Sequence, residues 1–266
     1  MKSTFTAQAL RRTARRAIPK PADHFVEVGG VKVRYWDEGR HNAGTPLLIA
    51  HGYNGAADYW FPHTVPVLAE ERRVIALDLP GNGLSGKMQR HTLEDYARFI
   101  HSFLDVMGIE RADLLGHSMG GQIGVAAVAH DPARFRKLVL VDSAGLPELI
   151  RQEWLAPLKM ITDSSVWQVR YYPTFVKIGL RARTSREGLR MLRKESIARH
   201  LNSLTLPTLI VWGSRDRVVP LEHGAHMAQQ MPNARLAIIR GAGHMPFYEK
   251  PRECNSLVLS FLRREE

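Results

Sequence analysis

From His24 onward, apolar and polar positions alternate through Phe25-Val26-Glu27-Val28, pause at Gly29-Gly30, and alternate again through Val31-Lys32-Val33-Arg34-Tyr35-Trp36. A period of two on either side of a Gly-Gly turn predicts an antiparallel hairpin. Beyond it the pattern changes to short apolar runs bounded by turn residues, at 46–50, 73–77, 112–115, 138–141, 207–212 and 236–239. Such runs mark strands buried on both faces. Stretches with helical spacing separate them, at 57–70, 93–107, 119–130, 221–231 and 252–264. Strand and helix alternating in this way predict an α/β fold, a parallel sheet covered by helices on both sides.

The alternation breaks once. Between Val141 and Pro207 no strand pattern is present, and 146–200 instead carries Trp154, Trp167, Tyr171, Tyr172 and Phe175 among helix formers and basic residues. The spacing predicts a helical lid inserted after the sixth strand. The expected organisation is therefore a basic arm over 1–22, a core made of 23–145 and 201–266, and a cap over 146–200. In the arm, Ala7, Leu10, Ala14 and Ile18 recur at helical spacing among arginines, and Pro19 and Pro21 end the run. It reads as a weak basic amphipathic helix or a disordered tail.

Charge changes the picture in two places. Residues 1–22 hold six Lys or Arg and no acid, and 151–200 hold eleven against four acids, which leaves the remainder close to neutral. A basic surplus so confined suits contact with an anionic surface such as lipid headgroups, or a solvated face with no partner. No recognition helix, stacking motif or zinc module accompanies it, so nucleic acid is not expected as a partner. The single Cys254 forbids an internal disulfide and any cysteine-cluster metal site. It is expected to be a thiol packed in a helix. No apolar run approaches the ~20 residues needed to cross a bilayer. Residues 1–22 lack the apolar centre of a secretory signal, so a cytoplasmic location is expected.

Gly116-His117-Ser118-Met119-Gly120 has the form G-x-S-x-G and sits between an apolar strand and a helix. The glycines suit a strained serine backbone and close passage of neighbouring chain. A neutral hydroxyl is a poor nucleophile, so a base must take its proton. Of the twelve histidines, His244 in Gly241-Ala242-Gly243-His244 is best placed, in a flexible loop after the last strand. His117 is expected to point away from the serine and pack, and His51 to be structural. His91, His101, His200, His223 and His226 lie on helical or exposed stretches with no partner in sight. Asp216, just after strand 207–212, is the expected acid that orients the base, with Asp142 as its rival. The backbone N–H groups of Tyr53 and Met119 are the expected oxyanion donors. In Asp78-Leu79-Pro80-Gly81-Asn82-Gly83-Leu84-Ser85, Asp78 is expected to tie down backbone amides.

Together these segments resemble the α/β-hydrolase family, in its serine-nucleophile, esterase- and lipase-like branch. The quoted residues fit its HG turn (His51-Gly52), D-x-P-G-x-G-x-S turn (Asp78 to Ser85), nucleophile elbow, late acid loop and GxGH loop. The resemblance implies an α/β-hydrolase fold with an eight-stranded, mostly parallel sheet, a cap after strand six, and no cofactor or metal. It implies a Ser118–Asp216–His244 triad. Serine at the elbow speaks against dehalogenases and epoxide hydrolases of the family, which use aspartate there.

Substrate is the least legible part. The lid aromatics suit an apolar acyl or aryl pocket or the lid's own core. The first expectation is a carboxylic ester with an apolar acyl group, including lipid esters at a membrane. The elbow also resembles that of ring-cleavage-product hydrolases, which break a C–C bond; Arg181 or Arg183 would then hold a substrate carboxylate. A non-catalytic binding protein on a retained fold is the third reading.

Overall fold

The computed structural model describes residues 18–149 and 182–264, with the backbone alone at 182–185. The eight strands are β1 (His24–Val28), β2 (Val31–Glu38), β3 (Leu47–Ala50), β4 (Val74–Leu77), β5 (Ala112–His117), β6 (Phe135–Val141), β7 (Thr208–Gly213) and β8 (Ala234–Ile239). They form one sheet in the order β1-β2-β4-β3-β5-β6-β7-β8. β2 runs antiparallel to β1 and β4, and every other pairing is parallel. The hairpin register Val28↔Val31 places Gly29-Gly30 in its turn, as the alternation predicts.

Five helices of two or more turns are described: α1 (Leu93–Val106), α2 (Met119–His130), α3 (Ala182–Lys194), α4 (Leu221–Gln230) and α5 (Pro251–Leu262). α1 opens on a capping box in which Thr92 and Asp95 satisfy each other's backbone N–H. Residues of α1, α2 and α4 pack on one sheet face in a cluster that includes Ile100, Phe103, Ile123 and Met227. α5 covers the other face, with Val258 and Phe261 packed near Trp60 and Leu68. Each large apolar side chain so buried contributes about 1.5–3 kcal/mol. Cys254 sits in this second cluster, the packed thiol that the sequence implies.

The expected helix over 57–70 differs from what forms. A single 3-10 turn, Ala57–Trp60, and one α-helical turn, Val65–Leu68, take its place. Pro62 explains the break: it lacks an N–H and forces Phe61 into extended backbone, φ −105° and ψ 143°. The basic arm up to residue 17 and the lid aromatics Trp154, Trp167, Tyr171, Tyr172 and Phe175 lie outside the described residues. α3 falls within the expected cap, between β6 and β7. No described helix is long and apolar enough to cross a membrane.

Parallel pairing gathers the chemistry. Because β3, β5, β6, β7 and β8 all run the same way, their carboxyl ends share one edge, with His117↔Val141 and Gly213↔Ile239 in register. The loops leaving that edge carry His51, Ser118, Asp142, Asp216 and His244.

Candidate active site

Ser118 joins β5 to α2 in a conformation that L-residues rarely adopt, φ 51° and ψ −116°. Such a backbone costs about 1–3 kcal/mol and persists only where its surroundings fix it. Here they do. Ser118 N donates to Val141 O at 3.0 Å, and Ser118 O accepts from the amides of Gly121, Gln122 and Ala144. Position 120 must be glycine, because a Cβ there would collide with the carbonyl oxygens of Ala50 and His51. The side chain thus stands at the N-terminus of α2, where the helix dipole favours negative charge. The amide of Met119, at the first helical position, has no acceptor within the helix.

The His51-Gly52-Tyr53 turn lies directly against this elbow. A Cβ on Gly52 would sit 3.1 Å from Ser118 Cβ and 2.8 Å from His117 Nδ1. His51 is the clamp of the turn: its Nδ1 donates to Gly52 O at 2.7 Å and its Nε2 accepts from Leu79 N at 2.9 Å. Burial holds its ring neutral, with a pKa below the ordinary value. Asp78, fully buried, accepts from Ala57 N at 2.7 Å and Leu84 N at 2.8 Å, so it does tie down amides on both sides of the turn. Its counter-charge is Arg34, which also pairs with Asp58 at 2.6 Å and Asp23 at 2.8 Å. Above the elbow α3 passes so close that a Cβ on Gly188 would touch the Tyr53 ring at 3.4 Å and Met119 Sδ at 3.8 Å. The two expected oxyanion residues therefore meet under one helix.

The residues expected as acid and base come together as well. His244 Nδ1 and Asp216 Oδ2 are 2.8 Å apart, and the Asp216 side chain is fully buried. Asp216 Oδ1 accepts from Val218 N at 2.8 Å and Val219 N at 3.0 Å, which fixes the carboxylate. With Nδ1–H donating to Asp216, His244 presents a bare Nε2. Ser118 and His244 share no hydrogen bond. The ring of His117, the residue before Ser118, has its centroid 4.8 Å from that of His244. His117 Nε2 donates to His244 O at 2.8 Å, so it packs rather than facing the serine's chemistry, as expected. Burial, with the neighbouring His244, keeps its pKa well below the ordinary histidine value.

Asp142, the rival acid, also reaches this edge, but accepts from Gly213 N at 2.8 Å rather than from His244. One atom each of His117, Asp142 and His244 lie within 4.8 Å of one another, the spacing of a metal-ligand group. Hydrogen bonds occupy His244 Nδ1 and His117 Nε2, while His117 Nδ1 and Asp142 Oδ2 have no hydrogen-bond partner.

Some residues escaped the sequence pattern. Arg34 stood with Lys32 on what looked like a polar face, yet Arg34 is buried and Lys32 exposed. Glu249 was also missed; it accepts from Gly243 N and Met245 N and so braces the His244 loop from both sides. Three of the histidines expected on helical or exposed stretches with no partner in sight are buried, two of them on helices. His91 pairs through Nδ1 with the Tyr96 hydroxyl at 2.9 Å, His101 donates from Nε2 to Ala127 O at 2.8 Å, and His223 is enclosed. Each lies at a helix start or on its inner face, where one turn of register decides burial.

A model of the alpha/beta hydrolase family matches residues 47–257. The chain is 34% identical to the dihydrolipoyllysine-residue acetyltransferase component of the acetoin cleaving system of Pseudomonas putida, with 92% of this chain and 70% of that protein covered. It is 31% identical to a 2-hydroxy-6-oxononadienedioate/2-hydroxy-6-oxononatrienedioate hydrolase of Burkholderia vietnamiensis strain G4, with 88% and 92% covered. Among solved structures it resembles a bacterial membrane phospholipase A at a TM-score of 0.76 and 27% identity, with 97% of this chain and 90% of the other covered. The chain belongs to the alpha/beta hydrolase family.

Proposed function

We propose that this hydrolase cleaves carboxylic esters with apolar acyl groups through an acyl-enzyme on Ser118, with His244 as base and Asp216 as the acid that orients it. The observation that carries this reading is the His244–Asp216 pair, 2.8 Å apart, beside a serine held on a strained elbow against the His51-Gly52-Tyr53 turn. Nε2 of His244 takes the proton of Ser118 Oγ as that oxygen attacks the ester carbonyl. This needs Oγ and Nε2 to close to hydrogen-bond distance, a contact that tightens when substrate is bound. The carbonyl oxygen, now an anion, accepts from the amides of Tyr53 and Met119. His244 then gives its proton to the departing alcohol, and water repeats the sequence to release the acid.

An apolar acyl group suits the surroundings. Met119, Leu146, Met191 and Val219 belong to one apolar cluster, with Tyr53 and Val218 packed against it, and this cluster runs from the sheet up to α3. A panel of p-nitrophenyl esters graded by acyl length tests the reading on wild type and Ser118→Ala. Turnover that peaks at medium or long acyl chains and vanishes in the variant supports it. Preference for a vinylogous diketo acid over every ester overturns it in favour of C–C cleavage. That second reading is favoured by the 31% identity to the Burkholderia hydrolase. The arginine it requires is Arg181 or Arg183, whose side chains are outside the described residues.

We also propose that the enzyme docks peripherally on anionic lipid. Arg186, Arg190, Arg193 and Lys194 are exposed on α3, whereas Gly188 and Met191 on its other side are buried toward the elbow. Each basic residue near an anionic bilayer contributes about 1 kcal/mol. Pelleting with phosphatidylserine-containing vesicles but not with phosphatidylcholine, lost in Arg190→Glu/Arg193→Glu, supports docking. Equal pelleting with both overturns it.

A further inference from the structure

Two carboxyl groups meet beneath His244, and the proposed reaction uses one. Asp142 is fully buried and held at φ 43°, with its N–H donating to Val211 O at 3.0 Å. Its Oδ1 accepts from Gly213 N, while Oδ2 is enclosed without a hydrogen-bond partner. The groups that face it are Asp216, His244, His117, Glu249 and the thiol of Cys254. None of these named groups carries a fixed positive charge.

Two ionised carboxylates cannot bond to each other, because each only accepts. One proton placed between them resolves both the repulsion and the unpartnered oxygen. Donor count decides which group carries it. Asp216 receives three donors, the amides of Val218 and Val219 and the ring N–H of His244, all within 3.0 Å. Asp142 receives one. Hydrogen bonds from donors favour the ionised form, and burial without them favours the neutral form. Accordingly, burial and the neighbouring Asp216 push the Asp142 pKa well above the usual carboxylate range.

We propose that Asp142 is a neutral positioning residue whose O–H donates to Asp216, so that the two carboxyls act as one acid with a single negative charge beneath His244. This inference rests on the triad reading above. Its corollary is that when Asp216 is neutralised, Asp142 can ionise and take over part of the task, because its carboxyl already lies within 4.8 Å of a ring nitrogen of His244.

The first test needs no activity, which separates its failure from failure of the triad reading. Infrared difference spectra at neutral pH, wild type minus Asp142→Asn, should contain the carbonyl stretch of a protonated, buried carboxylic acid. A pair of carboxylate bands in its place overturns the proposal. The second test is a double-mutant cycle on kcat/KM. Asparagine keeps a donor for Asp216 and an acceptor for Gly213 N, so Asp142→Asn should lower kcat/KM by only about threefold in the wild-type background. In the Asp216→Asn background the same substitution should lower it by a further factor of about thirty or more, because it then removes the carboxyl that substitutes for Asp216. Equal factors in both backgrounds, or a larger loss from Asp142→Asn than from Asp216→Asn, overturns the proposal. Should the double variant fail to fold, the infrared result on wild type and Asp142→Asn stands alone and decides the question.

Discussion

Asp78→Asn should be among the most damaging substitutions outside the proposed triad, because Asp78 is fully buried and holds two backbone amides. The wild-type carboxylate accepts two amides, Ala57 N at 2.7 Å and Leu84 N at 2.8 Å, and faces the buried Arg34 guanidinium at 3.1 Å. Asparagine offers one acceptor oxygen and one NH2. Whichever way it turns, an N–H donor points at another donor, and one buried amide loses its partner at a cost of about 1–3 kcal/mol. Arg34 also loses its fully buried counter-charge. It retains Asp23 and Asp58, so the loss falls short of a wholly stranded ion; breaking a buried pair outright costs about 3–5 kcal/mol. The total should lie near 3–4 kcal/mol by urea denaturation, as a shift in midpoint with unchanged slope. Asp58→Asn is the control. Its side chain is 22% exposed and also reaches Lys20, and its removal should cost about 1 kcal/mol. Because Asp78 and His51 together clamp the turn that carries Tyr53, kcat should fall in Asp78→Asn more than in Asp58→Asn. A loss of less than 1 kcal/mol, or equal losses in the two variants, would refute the reasoning.

Three further outcomes follow from the same structure. His51 and His117 are buried with lowered pKa values, so the unfolded chain binds protons that the fold cannot. The contribution of these two histidines should be intact above about pH 6.5 and be lost as pH drops below it, by up to about 1.4 kcal/mol per histidine per unit. Thermal melts of Asp142→Asn, which lacks the opposing buried carboxyl, that stay flat from pH 7.5 to 5.5 would contradict this. Asp142 acts with the opposite sign: its raised pKa means the fold binds the extra proton, so stability is lost as pH rises above about 4. Asp142→Asn should therefore gain on wild type between pH 5 and 8, and a constant offset would count against a neutral Asp142. Ser118→Gly relieves the positive-φ backbone and should raise stability by about 1 kcal/mol while removing hydrolysis. A less stable variant would show that the elbow is not strained.

The architecture was open to a reading of the sequence because its signals are local and strong. A Gly-Gly turn between two alternating runs set the hairpin, and six apolar runs between helical stretches set the parallel sheet. Asp216 and His244 were recognisable because each follows such a run closely, which places it on the shared edge. What failed to show was burial that depends on distant partners. Arg34 becomes a core residue only because Asp23, Asp58 and Asp78, up to 44 positions away in the chain, converge on it. The neutral pairing of Asp142 depends on the amides of Val218 and Val219 going to Asp216 instead. Nothing in the order of residues says which carboxylate those amides will choose. Pro62 was the opposite case, a helix breaker visible within 57–70 that the expectation of a helix there left out of account.

The central claim is that Ser118 is a nucleophile made reactive by His244. Covalent labelling with a fluorophosphonate, followed by peptide mapping, tests it most directly. The account expects one adduct, on Ser118, absent in Ser118→Ala and formed at least about a hundredfold more slowly in His244→Ala. An adduct on another residue, or labelling of Ser118 at an undiminished rate without His244, would contradict it.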